Sequence, residues 1–185
     1  MILVGLLAFQ TARAAIPGAY VGIGSGVGYD NSGGSAGFAA RVFGGYNFNK
    51  NFGLEAAYFN YSDYKISGFE LFEASGATTV SRSLNAASLV GKGYLPLGSG
   101  AFNLYAFGGA AYVTSTTEYN MPTVTKTARG MRPMYGLGAG YSFNKHFTMN
   151  IEYSQILASS NSSSSNPDPN IPTFNTMMLN LSYNF

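Results

Sequence analysis

Apolar and polar positions alternate along most of this chain. In Met177-Met178-Leu179-Asn180-Leu181-Ser182-Tyr183-Asn184-Phe185 every odd position is apolar, while Asn180, Ser182 and Asn184 fall between them. A period of two places the two sets on opposite faces of a strand. In Tyr20-Val21-Gly22-Ile23-Gly24-Ser25-Gly26-Val27-Gly28 one face is nearly bare glycine, and the other carries Val21, Ile23 and Val27. No helix-period segment of useful length interrupts this pattern. It predicts eight strands, at about 18–29, 36–48, 52–64, 83–95, 102–114, 131–143, 147–158 and 174–185.

The connections fall into two alternating classes. Asn49-Lys50-Asn51, Pro96 to Ala101 and Asn144-Lys145-His146 are short. Asp30 to Ser35, Lys65 to Arg82, Ser115 to Gly130 and Ser159 to Thr173 vary more and are polar. Short turns at one end and longer loops at the other are the signature of an eight-stranded antiparallel transmembrane β-barrel, an all-β fold. Prolines 17, 96, 122, 133, 167, 169 and 172 fall in connections or near strand ends, as a sheet requires. The Ser/Asn-rich tract from Ser159 to Ser165 reads as an exposed loop.

The chain also echoes itself. Gly44 to Tyr58 matches Ala139 to Tyr153 at a constant offset. Each copy is a strand ending in Tyr-x-Phe, a three-residue polar turn, then Phe opening the return strand. The last three residues, Tyr183-Asn184-Phe185, repeat the strand ending alone. Aromatic residues therefore gather at the short-turn end: Tyr46, Phe48, Phe52, Phe102, Tyr141, Phe143, Phe147, Tyr183 and Phe185. A ring of aromatics at one level is expected of an interfacial girdle. The same ring closing the bottom of a soluble barrel is the competing interpretation.

Parity places the strand charges. Arg41 opposes the face of Phe38, Val42 and Tyr46, and Glu55 opposes Leu54 and Tyr58. Glu152 opposes Ile151 and Tyr153, and Lys92 shares its face with Ala86 and Ser88, away from Leu89 and Leu95. A Lys or Arg facing lipid at the midplane costs about 2–4 kcal/mol, so this common inward parity is meaningful. Two cations and two anions in a narrow lumen persist only when paired and hydrogen-bonded. A lumen network of Arg41, Glu55, Lys92 and Glu152 is therefore expected.

Composition narrows the alternatives. The 185 residues include only 10 Lys+Arg and 8 Asp+Glu, 10% of the chain, against about 25% in ordinary soluble domains. Mean hydropathy is nevertheless only +0.05. Fourteen Phe and fourteen Tyr argue against disorder. With no Cys, disulfide scaffolds and Cys-based zinc sites are excluded. A net charge of +2 gives no basic footprint for nucleic acid. No apolar run reaches the ~18 residues of a membrane-spanning helix. A soluble lipocalin-like carrier would spread charges over its outside, which this chain lacks.

At the N-terminus the apolar run Ile2–Phe9 precedes Ala12-Arg13-Ala14, an A-x-A site after a short h-region. Residues 1–14 are expected to be a signal peptide and residues 15–185 a single barrel domain. No Lys or Arg precedes Ile2, so the n-region rests on the amino terminus alone or continues upstream.

Catalytic constellations are not evident. His146, the single histidine, sits in a short turn and is expected to be a solvated turn residue. It has Ser142 nearby and no acid adjacent in sequence, too little for the nucleophile and base of a lipid-modifying hydrolase. Neither a metal nor a cofactor is expected. The glycine-rich stretches at 22–28 and 136–140 lack the spacing of a dinucleotide fingerprint.

The segments Phe43-Gly44-Gly45-Tyr46, Leu54-Glu55, Lys92-Gly93-Tyr94-Leu95-Pro96-Leu97, Leu104-Tyr105 with Gly108-Gly109, and Glu152-Tyr153 resemble the transmembrane barrel of the OmpA-like and OmpX-like outer-membrane proteins. The resemblance spans about residues 18–185. It implies eight strands, both termini in the periplasm of a Gram-negative bacterium, and a plugged lumen with paired Arg/Lys and Glu. Those pairs map onto Arg41, Glu55, Lys92 and Glu152. The family's lumen Arg in strand five falls near Phe107 here, which implies a rearranged network. Tyr183 and Phe185 fit the terminal aromatic signal read by the outer-membrane assembly machinery. Asn180 and Met178 depart from that signal.

Eight strands leave an interior just wide enough for side chains, so a wide pore is excluded. Function is then expected in the longer loops: envelope integrity, with adhesion or host contact. A narrow ion-conducting channel through the charged lumen is the alternative. The expected partners are outer-membrane lipid and lipopolysaccharide, the assembly machinery, and a host or surface ligand at the loops.

Overall fold

The computed structural model describes residues 15–30, 37–66, 80–98, 101–120, 123–158 and 173–185. Eight strands follow one another: β1 (Gly18–Asp30), β2 (Gly37–Asn47), β3 (Phe52–Ile66), β4 (Val80–Leu97), β5 (Phe102–Asn120), β6 (Thr123–Ser142), β7 (Phe147–Ile156) and β8 (Phe174–Asn184). Each pairs antiparallel with its sequence neighbour, and β1 closes on β8 through pairs from Tyr20↔Asn184 to Asp30↔Phe174. Closure leaves no unpaired edge, a condition for a sheet that spans lipid.

Period-two alternation becomes an outside and an inside. Val21, Ile23, Val42, Leu89, Leu104, Leu137, Ile151 and Leu179 stand exposed on the outer wall, while Arg41, Glu55, Lys92, Glu152 and Asn180 are buried within. This inverts the distribution of a soluble barrel. Glycine shapes the interior. A Cβ on Gly24 would lie 2.0 Å from Asn180 Oδ1, and one on Gly26 would lie 2.0 Å from the Met177 carbonyl oxygen. The bare face of β1 thus points inward and yields its volume to larger side chains of its neighbours.

The repeated hairpin has one physical cause. Asn49 Oδ1 accepts from the backbone N–H groups of Asn51 (2.8 Å) and Phe52 (2.9 Å). Asn144 Oδ1 accepts likewise from His146 (2.7 Å) and Phe147 (2.9 Å). An asparagine that satisfies two turn donors sets the same short connection in both copies. The β4–β5 turn differs and has Gly98 at φ 58°, in the left-handed region that suits glycine.

Three expectations need correction. Ser115 to Gly130 is not a loop: β5 runs to Asn120 and β6 starts at Thr123, paired down to Asn120↔Thr123. Its threonines are β-branched and favour strand even where no apolar face is needed. Pro96 lies within β4, opposite Asn103, rather than in the following turn. Pro133 sits well inside β6 instead of near its end, opposite Ala110. Its carbonyl accepts from Leu157 N at 3.0 Å, beyond the end of β7 at Ile156. Pro133 nitrogen faces that same side, at the last rung of the β6–β7 ladder, so its missing N–H forgoes only one terminal bond. The expected loops at Asp30–Ser35, Lys65–Arg82 and Ser159–Thr173 lie mostly outside the described residues, as do residues 1–14.

Candidate functional site: a charged lumen between two unlike halves

The inward face of four strands converges at one level. Arg41 (β2) donates from Nη2 to Glu55 Oε1 (β3) at 2.6 Å and from Nη1 to Glu152 Oε1 (β7). Lys92 (β4) donates from Nζ to Glu55 Oε2 at 2.9 Å and stands 3.6 Å from Glu152 Oε2. Each cation touches both anions, so the quartet is a closed, neutral ring. The structure brings together all four residues that parity pointed inward, all nearly fully buried.

Two tyrosines complete the ring. Tyr20 OH donates to Glu55 Oε2 at 2.9 Å, and Tyr105 OH donates to Glu152 Oε2 at 3.1 Å. Aromatic faces wall the cations: Arg41 lies 4.4 Å from the Phe43 ring centroid, and Lys92 lies 4.5 Å from that of Tyr105. Phe107 also faces the lumen, 5.7 Å from Lys92 Nζ. Such contacts stabilise desolvated cations. Sequence reasoning missed Tyr20 and Tyr105, although Tyr20 shares the parity of Gly22 and Gly24, the bare face of β1.

The halves of the lumen on either side of the quartet are unlike. Toward the long-loop end the interior is mainly apolar, with Phe59, Leu84, Val113, Met134, Ile156 and Phe174 buried beside the hydroxyls of Ser88, Ser115, Ser154 and Thr176. Tyr61 stacks on Phe59 (6.0 Å) and meets Phe174 edge-on (4.5 Å), and its hydroxyl lies 3.1 Å from Thr176 Oγ1. Toward the short-turn end the lining is amide and hydroxyl: Asn47, Asn103, Asn150, Asn180, Ser182 and Asn184. Among the described residues no cluster of His, Asp and Glu is placed to hold a metal.

The nine aromatics named from sequence all stand on the outer wall near the short turns. Phe102 meets Tyr141 at 4.7 Å and Tyr141 meets Phe143 at 5.1 Å. Tyr183 meets both Phe147 and Phe185 at 5.3 Å. A second set was not anticipated: Tyr29, Tyr58, Tyr112 and Tyr135 stand exposed toward the long-loop end. There Tyr153 OH and Gln155 Nε2 both donate to Asn175 Oδ1, at 2.8 and 2.7 Å, and Tyr135 OH donates to Gln155 Oε1. Outward amides are thus satisfied within the wall.

His146 is not simply solvated, which corrects the turn-residue expectation. Its ring stacks on Tyr183 at 5.3 Å and 7°, and its Nδ1 lies 3.0 Å from the Asn184 carbonyl oxygen. Asn184 N and Nδ2 both donate to the His146 carbonyl, at 2.7 and 3.1 Å. The β6–β7 turn therefore clasps the last strand.

A closed eight-stranded barrel, apolar outside and charged within, is an integral outer-membrane β-barrel. The chain belongs to the outer membrane protein beta-barrel domain family, whose model matches residues 1–185. It is 30% identical over 183 residues to an uncharacterized protein of Coxiella burnetii (strain RSA 493 / Nine Mile phase I), covering 82% of this chain and 69% of that one. Its fold is similar to Neisserial surface protein A (TM-score 0.60, 11% identity, 90% of this chain and 96% of that one). It is also similar to Ail, the attachment invasion locus protein of Yersinia pestis (TM-score 0.54, 15% identity, 92% and 100%). OprG of Pseudomonas aeruginosa shares the fold as well (TM-score 0.57, 15% identity, 95% and 98%). The protein is thus an integral barrel of the Gram-negative outer membrane.

Proposed function

We propose that this barrel is a non-catalytic membrane anchor that supports the envelope and presents its longer loops for attachment at the cell surface. One observation carries the reading: the apolar layer of Phe59, Leu84, Val113, Ile156 and Phe174 fills the lumen on the loop side of the charged quartet. An ion would have to shed its hydration inside that layer, at a cost far above thermal energy. The narrow channel is therefore disfavoured, and the charges act as internal cross-links between β2, β3, β4 and β7. Both termini lie in the periplasm in this reading, and Tyr183 and Phe185 face the assembly machinery during insertion. The outer wall meets acyl chains, and its upper tyrosines meet the headgroups, including lipopolysaccharide. The fold is compatible with attachment, since Ail is named for attachment and invasion and was also solved with the heparin analogue sucrose octasulfate.

The test replaces residues 67–79 and 159–172 with short Gly-Ser turns in cells that display the protein. Heat-shifted gel migration should persist, showing an intact barrel, while cell attachment to host-cell monolayers falls. Undiminished attachment by the loop-less barrel would sink the reading.

A further inference from the structure

The outer wall near the short turns is interrupted by a groove. Where β4 meets β5, Gly93 stands opposite Ala106, and the next outward row toward the middle of the wall pairs Gly91 with Gly108. A Cβ on Gly93 would meet nothing closer than the Ala106 carbonyl oxygen at 3.9 Å, and one on Gly108 would meet nothing within 4 Å. Around these small residues Phe52, Leu54, Leu95, Leu104 and Leu137 stand out from the wall. The gap over Gly93 and Ala106 has a volume of about 560 Å³, within the ~300–1,000 Å³ of small-molecule sites.

The internal repeat shows that this gap is particular to one hairpin. Phe52 and Phe147 open equivalent return strands, but Phe52 pairs with Gly93 and Phe147 pairs with Tyr183. Tyr183 fills its stretch of wall against Phe147, with ring centroids 5.3 Å apart; Gly93 leaves the corresponding space open. The mouth of the groove is cationic. Asn51 lines it, and Lys50 precedes Asn51 at the exposed tip of the β2–β3 turn. That turn is tied to β4: Asn51 Nδ2 donates to the Tyr94 carbonyl at 3.1 Å, and Tyr94 N donates to the Asn51 carbonyl at 2.7 Å. In the sequence segments 42–54 and 93–109, Lys50 is the single charged side chain, so no carboxylate there offsets it.

An apolar slot with a cation at its open end fits an amphiphile of negative charge. A second barrel fits less well, because a stable protein interface buries about 800 Å² on each partner and this gap is one strand pair wide. A lysine stem lies along apolar surface while its ammonium reaches a polar headgroup. We propose that the groove over Gly93, Ala106, Gly91 and Gly108 binds an anionic phospholipid, with the phosphate at Lys50 and one acyl chain along the glycine rows. In the orientation proposed above, this lipid belongs to the periplasmic leaflet. The site does not depend on what the loops bind.

The chain has no Trp, so Leu97→Trp, at an exposed position one outward step along β4 from Leu95, supplies a single fluorescent reporter beside the groove. This variant is folded into phosphatidylcholine vesicles in which a minor component carries brominated acyl chains, and folding is checked by heat-shifted migration. Brominated phosphatidylglycerol should quench the Trp several-fold more than brominated phosphatidylcholine at equal content. Adding Lys50→Gln should bring the two lipids to parity, while adding Lys145→Gln should leave the preference intact. Gly93→Phe and, as a second variant, Ala106→Leu fill the slot and should abolish the preference with Lys50 in place. Equal quenching by the two lipids in the reporter protein overturns the proposal. A preference that falls as far with Lys145→Gln as with Lys50→Gln is diffuse charge attraction and overturns it too, as does one that survives both filled-slot variants. Both leaflets of these vesicles carry the same lipids, so the result is independent of loop-mediated attachment and of which end faces the periplasm.

Discussion

Arg41 is the residue on which the interior turns. It donates to Glu55 and Glu152, and Lys92 alone cannot neutralise both carboxylates. Arg41→Ala should lower stability by about 3–5 kcal/mol, the cost of leaving a buried charge unpaired. The urea midpoint for loss of the heat-shifted form measures this, and an unchanged midpoint would show that the carboxylates are solvated without Arg41. Glycine supplies a contrasting residue-level test. A Cβ on Gly26 would press on the Met177 carbonyl and Met178 Cα, whereas one on Gly108 meets nothing within 4 Å. Gly26→Ala should therefore fail to give the folded band. Gly108→Ala should fold at least as well as the parent, because glycine within a strand costs roughly 0.5–1 kcal/mol against alanine.

At the scale of elements, the short turns and the last strand are joined more closely than local sequence shows. The β6–β7 turn is built on Asn144 and reaches β8 through His146. Asn144→Ala removes two exposed bonds and should cost about 1–2 kcal/mol, at the modest net value of such bonds. His146→Ala should cost about 0.5–1.5 kcal/mol, the worth of an aromatic pair. Both are read from the same urea transition. If His146→Ala leaves the midpoint unmoved, the ring stacking contributes nothing to holding β8. The β5–β6 hairpin shows the limit of hydropathy. Beyond the hydrocarbon layer a strand needs no apolar face, so Ser115–Gly130 looks like a polar loop although its backbone is laddered up to Asn120 and again from Thr123.

Among the described residues the barrel interior is mainly apolar toward the loop end and polar toward the turn end. Folded protein in planar bilayers should therefore show no stepwise conductance under an applied voltage. Discrete, voltage-driven steps from correctly folded protein would restore the channel reading and require the apolar layer to open. The outer wall completes the picture. Aromatic residues ring both ends, with aliphatic side chains such as Leu104, Leu137 and Leu181 exposed between them. Such a wall is stable only in a medium without water, and this follows from the closed sheet rather than from any one strand.

Sequence alone determined the strand count, the outward and inward faces, and the inward parity of Arg41, Glu55, Lys92 and Glu152. These follow from local rules: a strand alternates with period two, and a charge on the lipid face is costly. Which charge meets which was beyond it. Arg41 on β2 reaches Glu152 on β7 because closure carries the sheet around and because the glycine face of β1 leaves the space between them open. The same holds for His146 against Tyr183 and for the apolar layer built from strands far apart in the chain. Register and closure are long-range properties, and only the tertiary structure decided which side chains share the narrow interior.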